Sequence, residues 1–428
     1  MSSSSGTPKF RVAICGAGIG GLVLAVTIGK FAGRDVQVDL YEAHDAITAI
    51  GAGIMISRRT SAVLEALGLY EEISHVSMKP PASSHGPSKN LSDNRNPVYR
   101  QHLVDILKQH LPPSCTVHFN KRLTKYSKLS TGSLILHFAD ESSDNTDVLI
   151  GADGIRSSVR KTLFETIDRD LVDPSKIRHY TDPSWTGTLV YRAVVPVEKL
   201  LETDPNATTL EDFIVIVVSY PVSGGTLINV SASVSDEQKA GTPFEGRWVS
   251  DVSQEEVEEA FHDFEPAAKN LLKYFNNPSR WALHVVNELP LLTCDRVALI
   301  GDACHAMAPY LGAGAGQAME DAFVLGRLLA HPLTTLDNVP AALRVYQDVR
   351  LAAAQLVARN AKDIGLMFQF SMPGYYDGTD RGNEREEMEI LQEMINSHMV
   401  NYGQGSAVAE WQQAEKNLQE SVGLCNDC

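Results

Sequence analysis

The stretch from Phe10 to Glu42 constrains the fold most, because it reads in order as strand, glycine turn, helix and second strand. Arg11 to Cys15 carries Val12, Ala13 and Ile14, a short apolar run suited to a strand buried on both faces. Gly16, Gly18 and Gly21 then fall on the G-x-G-x-x-G positions, with Gly20 inside the same turn. There the turn must be tight, the backbone must approach a pyrophosphate, and a helix must pack close on a strand. Leu22 to Phe31 supplies the helix, whose unpaired N-terminal amides and positive dipole end suit phosphates without a lysine or arginine. Val36 to Tyr41 makes the second strand, and Glu42 stands 21 residues after Gly21, about where a carboxylate accepts hydrogen bonds from a ribose diol. This order predicts dinucleotide binding and leaves open whether the ligand is FAD or a nicotinamide.

At 428 residues the chain is long enough for two or three domains. Lysine and arginine total 37 against 53 acidic residues, a net charge of -16, which argues against nucleic acid or an anionic membrane surface as partner. The apolar run Phe213 to Val218 is too short to cross a bilayer, and Met1 to Lys9 does not read as a signal peptide. The six cysteines, Cys15, Cys115, Cys294, Cys304, Cys425 and Cys428, show no disulfide framework. A soluble, reducing, cytoplasmic setting is expected. Cys425 and Cys428 form a terminal C-x-x-C that lacks a second ligand pair, so no metal is expected.

Further along, Thr60 to Leu67 reads as a helix ending at Gly68, and Lys79 to Pro97 as a mobile loop without periodicity. Tyr99 to Leu111 is helical, stopped by Pro112 and Pro113. Thr116 to Phe119, Arg122 to Leu129 and Ser133 to Phe138 alternate like strands, and Asp147 to Ile150 is a buried strand running into Gly151-Ala152-Asp153-Gly154. From about Ser184 to Val234 the pattern turns to antiparallel strands, Thr186 to Val195, Phe213 to Tyr220 and Thr226 to Val234, with Gly224 and Gly225 turning the last pair. Ser253 to Tyr274 reads as one acidic helix capped by Ser253. Val297 to Ile300 is again a buried strand, ended by Gly301 and Asp302. Helices are expected over Gly314 to Leu329 and Pro340 to Phe370, and packed helices or a partner surface over Arg381 to Gly423.

Three turns therefore follow three short apolar strands: Gly16 to Gly21, Gly151 to Gly154, and Gly301-Asp302 with Ala303-Cys304-His305. All can sit at the carboxyl ends of one sheet, where open α/β sheets bind ligands. In this order they resemble the flavoprotein aromatic hydroxylases with a single FAD-binding fold, class A monooxygenases, and especially their salicylate hydroxylase-like branch, over roughly residues 10 to 370. The resemblance implies that Glu42 binds the adenosine ribose, that Gly53 passes near the cofactor and that Arg100 contacts FAD. It also implies that Asp153 and Gly154 serve FAD and the nicotinamide together, and that Asp302 binds the ribityl chain. Pro309, Gly312, Gly314 and Ala315 match the segment under the isoalloxazine ring. The bare glycine turn from Gly312 to Gly316 also opens a helix, whose dipole suits an anionic reduced flavin.

Tyr191-Arg192-Ala193 and Tyr220-Pro221 resemble segments in which an arginine and a tyrosine line the substrate pocket. As catalytic candidates, Arg192 can hold a phenolate or carboxylate, and Tyr220 can exchange a proton with a phenol, against the plainer roles of a surface salt bridge and a core tyrosine. His305 reads as a loop histidine holding its own backbone rather than a base, Tyr346 and Arg350 as structural, and Met367, Phe368 and Phe370 as core. Two departures stand out: Ser57-Arg58-Arg59 occupies a place where relatives carry proline and asparagine, and Lys79 to Pro97 lacks the strand pair expected before the Arg100 helix.

The expected architecture is α/β: a Rossmann-like FAD-binding domain of residues 1–172 and 293–370, an inserted antiparallel β-sheet substrate domain (α+β) of residues 173–292, and a C-terminal helical extension of residues 371–428. The resemblance implies an FAD-dependent monooxygenase that uses NADH or NADPH and dioxygen. It would hydroxylate a hydroxybenzoate- or salicylate-type acid through a flavin hydroperoxide, with or without decarboxylation, as a monomer or homodimer. Two rivals remain: an epoxidase or dearomatising hydroxylase of a larger metabolite, and a flavin reductase or flavin-binding protein that inserts no oxygen.

Overall fold

Alternation of buried strands and helices builds the first layer. The computed structural model describes residues 8–48, 53–77, 96–199, 217–222, 226–264, 266–379 and 381–426. Its main sheet has six strands in the order Thr293–Cys294, Val297–Leu299, Val148–Gly151, Phe10–Cys15, Val36–Tyr41 and Cys115–His118. All neighbours pair parallel except the edge strand Thr293–Cys294. Val12, Ile14, Leu149, Ile150, Ala298 and Leu299 are fully buried, as strands covered by helices on both faces require.

The helices Ile19–Ala32 and Gly314–Ala330 cover this sheet side by side. Their close approach depends on Gly326, where a Cβ would stand 2.7 Å from the Thr27 methyl. The C-terminal helix Ala407–Asn426 packs on Gly314–Ala330 as well, and sends Ala407, Trp411, Ala414 and Leu418 into the same core. Burying an aromatic or leucine side chain of this kind contributes about 1.5–3 kcal/mol, so this helix is part of what holds the first layer together. Arg381 to Gly423 is thus two helices, Glu384–Gly403 and Ala407–Asn426.

A second sheet is antiparallel, in the order Val217–Val222, Leu227–Ser235, Ser184–Pro196, Ser279–Val285 and Val249–Asp251. One face carries Tyr191, Ala193, Val195, Ile228, Val230 and Ala232 onto Val257, Phe261, Leu271 and Leu272, a core separate from the first. Here the single helix expected from Ser253 to Tyr274 is corrected to two, Gln254–Ala260 and Pro266–Leu272. Ser253 does cap the first, accepting from the Glu256 amide, while Pro266 lacks the amide that would continue a helix and starts a new one instead.

One strand does precede the Arg100 helix. Gly53–Ile56 pairs antiparallel with Asn96–Tyr99, so the last two residues of the Lys79 to Pro97 stretch belong to a strand. Alternation over so short a run, with Pro97 inside it, left no readable period. The rest of that loop, 79–95, lies outside the described residues, as do Phe213 to Ile216 and the turn residues Gly224 and Gly225. Ser143–Thr146, a polar strand completing the small sheet with Leu123–Lys128 and Leu134–Phe138, was not anticipated.

Candidate active site

The first two turns are locked together by one glycine. Gly16 has φ +106°, and a Cβ there would stand 2.2 Å from the Ala152 carbonyl oxygen. The Ala152 amide donates to the Cys15 carbonyl at 2.8 Å, which keeps the two strand ends in step. Gly21 is equally constrained, since its Cβ would lie 2.0 Å from the Gly16 oxygen, while Gly20 faces the Ala318 methyl at 3.5 Å. Gly18 differs: nothing lies within 4 Å of where its side chain would be. Two of the motif glycines therefore serve close packing, and the third leaves an open approach to the helix N-terminus, which has no capping side chain and no acidic residue in its first turn. Glu42 is held over this turn, its Oε2 accepting from the Ala17 amide and its Oε1 from the His44 amide, both at 3.0 Å.

In the second turn the Asp153 carboxylate is engaged by the chain itself. It accepts from the Ser157 hydroxyl at 2.5 Å and from the Ser158 and Val159 amides at 2.7 and 3.2 Å, at the start of the helix Ser158–Thr166. Burial pushes its carboxyl above the usual range, and these donations pull it back. Gly154, with φ +76° and open space at its Cβ position, is the part of the D-G pair left free to meet a ligand. Arg160, fully buried, ties this turn to the third: it donates to the Ala303 carbonyl at 2.8 Å, and to the Ile155 and Thr181 carbonyls at 2.7 and 3.0 Å. Sequence reading passed over it, although an arginine at helical spacing with Leu163 and Phe164 was the available signal.

At the third turn Gly301 has φ +60°, and Asp302 is exposed at the head of the short helix Asp302–His305. An Asp302 carboxylate oxygen lies 4.0 Å from the Cβ position of Gly314. Pro309–Leu311 forms a single turn ending at Gly312, whose φ of +63° reverses the chain beside Met55. Gly314–Ala330 then begins with no capping side chain and no acidic residue in its first turn, and Ala315 is half-buried there. Gly53 pairs with Tyr99 and so brings its strand to the base of the Arg100 helix. Burial lowers the Arg100 guanidinium from its ordinary value, Asp302 opposes this, and Arg192 adds to the lowering. Arg100, Asp302, Gly314 and Arg192 are thus gathered from the first layer and the antiparallel sheet into one region.

The antiparallel sheet turns its polar face to this region. Tyr191 points away, its hydroxyl donating to Glu256 at 3.3 Å, so its neighbour Arg192 lies on the opposite face, 5.5 Å from the centre of the Trp281 ring. Tyr310, in the segment before Gly312, meets the same face. Burial raises its phenol, while bonds with Thr188, Ser233, Gln369 and Ser235 act the other way, and the Gln369 amide donates to its hydroxyl at 2.8 Å. The backbone of Tyr220 is opposite Asn229, and its side chain lies outside what is described.

Beneath the third turn is a buried ionic cluster. His305 does not bond its own backbone as expected. Its Nε2 lies 2.5 Å from an Asp321 oxygen that also accepts from the Gly301 amide at 3.0 Å. Arg350 donates to the other Asp321 oxygen at 2.9 Å, to Glu320 at 3.1 Å, to Glu410 at 2.6 Å and to Gln317 at 2.7 Å. Arg59, one of the departures noted above, joins by donating to Glu320 at 2.8 Å, to the Gln404 carbonyl at 3.0 Å and to Glu410. Burial works against the His305 imidazolium, Cys304 and Asp321 favour it, and its value lies well above that of an ordinary histidine. Burial also keeps the Cys304 thiol protonated, so Asp321 is the effective partner, its own carboxyl held at about 2 against burial by His305 and Arg350. Cys304, His305 and Asp321 bring ligand-type atoms within 4.8 Å of one another, but the Arg350 guanidinium and the imidazolium already supply the positive charge there. Tyr346 donates to the Leu299 carbonyl at 2.9 Å and is structural, as is Arg350. Met367 is buried, and Phe368 packs on an adjoining apolar cluster.

These residues fit FAD. Two uncapped helix N-termini face an open Gly18 and an αL Gly312, and the carboxylates of Glu42 and Asp302 stand at separate strand ends of the same sheet.

Comparison with known proteins finds relatives that span most of the chain. Residues 216–361 match the family described as FAD binding domain. A salicylate hydroxylase from Pseudomonas putida is 32% identical over 393 residues, covering 86% of this chain and 87% of the relative. A 6-methylsalicylate 1-monooxygenase from Aspergillus terreus is 30% identical, covering 86% and 85% respectively. Among solved structures, a salicylate hydroxylase substrate complex superimposes with a TM-score of 0.78 at 31% identity, over 95% of this chain and 98% of the other. Among the described residues no helix is long and apolar enough to cross a membrane.

Proposed function

The chain belongs to the FAD-dependent monooxygenases of the salicylate hydroxylase type, and from that premise we propose that it hydroxylates a small phenolic acid, with NADH or NADPH as the electron donor. What supports this reading is that two half-buried cations, Arg100 from the first layer and Arg192 from the polar face of the antiparallel sheet, come to one region, where burial lowers the Arg100 guanidinium, the Asp302 carboxylate offsets part of this and the charge of Arg192 adds to it. Two such cations are relieved by an anion, and a carboxylate or phenolate of the substrate supplies one. The relatives named for salicylate and 6-methylsalicylate point to the same class of ligand.

When bound, FAD supplies the redox and oxygen-activating chemistry. In our reading Glu42 holds the adenosine ribose and Asp302 the ribityl chain. The helix start at Gly314 and Ala315 would stabilise negative charge on the flavin ring, with Pro309 and Gly312 shaping the turn that leads into that helix. Gly154, aimed by the helix-capping Asp153, meets the dinucleotide backbone. Arg192 orients the acid, and Tyr220 exchanges the phenol proton, which raises electron density on the ring carbon to be attacked. We assign substrate binding to residues 173–292 and cofactor binding to residues 1–172 and 293–370.

The test is to follow nicotinamide oxidation, oxygen uptake and peroxide together, with a panel of phenolic acids. Faster turnover with little peroxide for one acid is the expected result. Peroxide alone, or stimulation only by a large apolar ligand, would rule the phenolic-acid reading out and favour a larger metabolite.

A further inference from the structure

We propose that Asn229 recognises the carboxylate of the aromatic substrate, its side-chain amide donating alongside Arg192; this rests on the phenolic-acid reading above. Along Leu227–Ser235, residues Ile228, Val230 and Ala232 enter the apolar core of the antiparallel layer. Asn229, Ser231, Ser233 and Ser235 therefore lie on the other face, the one that carries Arg192 and Thr188 and that Tyr310 meets.

On that face Asn229 is an anomaly. It is only 2% exposed, yet its Nδ2 has no hydrogen-bond partner among the described residues. The residue directly across on Ser184–Pro196 is Val194, which offers no side-chain acceptor. A buried donor left unpaired carries a desolvation cost that is recovered only when an acceptor arrives. Ser231, two residues on, is opposite Arg192, so Asn229 and Arg192 are diagonal neighbours with Cβ atoms roughly 7 Å apart. One carboxylate can bridge two such side chains, with the guanidinium on one oxygen and the amide on the other.

The neutrality of the second donor has a reason. Arg192 and Arg100 already oppose each other, and a third cation would raise that repulsion in the free enzyme. An amide adds a directional hydrogen bond and no charge. Such a site discriminates an aromatic acid from its uncharged amide, because only the anion satisfies both donors.

The holoenzyme and its Asn229→Asp, Asn229→Ala and Asn229→Ser variants are titrated with salicylate, 4-hydroxybenzoate and salicylamide, reading the change in flavin absorbance. Asn229→Ala and Asn229→Ser are expected to bind the acid about 10- to 100-fold more weakly. Asn229→Asp, which sets a carboxylate against a carboxylate, loses more, and salicylamide binding changes less than about threefold throughout. Acid binding within about threefold of wild type in all three variants overturns the proposal and leaves the phenolic-acid reading standing. Equal loss of salicylamide and acid, or loss of bound FAD in every variant, also overturns it by assigning Asn229 to the fold. A wild-type flavin that responds to neither acid overturns both readings together.

Discussion

His305 and Asp321 form a buried pair in which Nε2 donates to a carboxylate oxygen at 2.5 Å, and that same oxygen accepts from the Gly301 amide. The turn that carries Asp302 is thereby anchored from below by a residue of the helix Gly314–Ala330. Arg350 completes the anchor on the other carboxylate oxygen. Removing one charge from such a site leaves the others buried without compensation.

Asp321→Asn is accordingly expected to cost about 3–5 kcal/mol of stability and to loosen flavin retention, because His305 loses its counter-charge and Arg350 keeps only Glu320 and Glu410. Thermal unfolding and the flavin-to-protein ratio after gel filtration check this. A variant with wild-type unfolding and full flavin would show that the pair does not anchor the turn.

The same pair sets a pH dependence. His305 is raised above its ordinary value of about 6.5, so its contribution is complete below that pH and is lost as pH rises through the folded-state value. Asp321 is depressed to about 2, so its contribution is present above its ordinary value and is lost as pH falls towards about 2. Denaturant unfolding from neutral to alkaline pH should show declining stability, with a flatter profile in His305→Gln. Identical alkaline profiles for the two proteins would contradict the pairing.

The glycine turn separates packing from ligand approach. Gly16→Ala meets the Ala152 carbonyl at 2.2 Å from a positive φ, so it should yield unfolded or aggregated protein. Gly18→Ala meets nothing of the chain, so it should fold with an unchanged far-ultraviolet spectrum and bind flavin more weakly. Equal flavin affinity for Gly18→Ala and wild type would move the pyrophosphate elsewhere.

Glu410 links the C-terminal helix to the first layer through Arg59 and Arg350. Glu410→Gln should destabilise by about 1–3 kcal/mol and speed limited proteolysis near residues 404–426. Combined with Arg59→Gln it should cost less than the sum of the single changes, since both report on one network. Strict additivity in denaturant unfolding would deny the coupling.

Arg192→Gln removes one of two opposed guanidiniums. Weaker binding of a phenolic acid by at least about 10-fold, with flavin content intact, is the outcome expected of a substrate-holding cation. Unchanged affinity would return Arg192 to a surface role over Trp281.

What the sequence alone determined is local. A buried strand, a glycine turn and a helix start are written in consecutive residues, so the three turns at Gly16, Gly151 and Gly301 were legible, and the parallel sheet brings them side by side. The alternation from Thr186 to Val195 likewise announced an antiparallel layer, because period two needs no partner to be read. Tertiary structure decided everything that depends on charges meeting across the chain. Arg59 and Glu320 are 261 positions apart, and Arg160 and Ala303 143 apart, so no periodicity connects them. The helix predicted through Pro266 and the missed pair Gly53–Ile56 with Asn96–Tyr99 failed for a related reason: short elements take their form from partners, not from propensity. Asn229 shows the limit most clearly. Its place on a strand could be read from Thr226 to Val234, but that its Nδ2 is buried without a partner among the described residues emerges only when a second strand sets Val194 across from it.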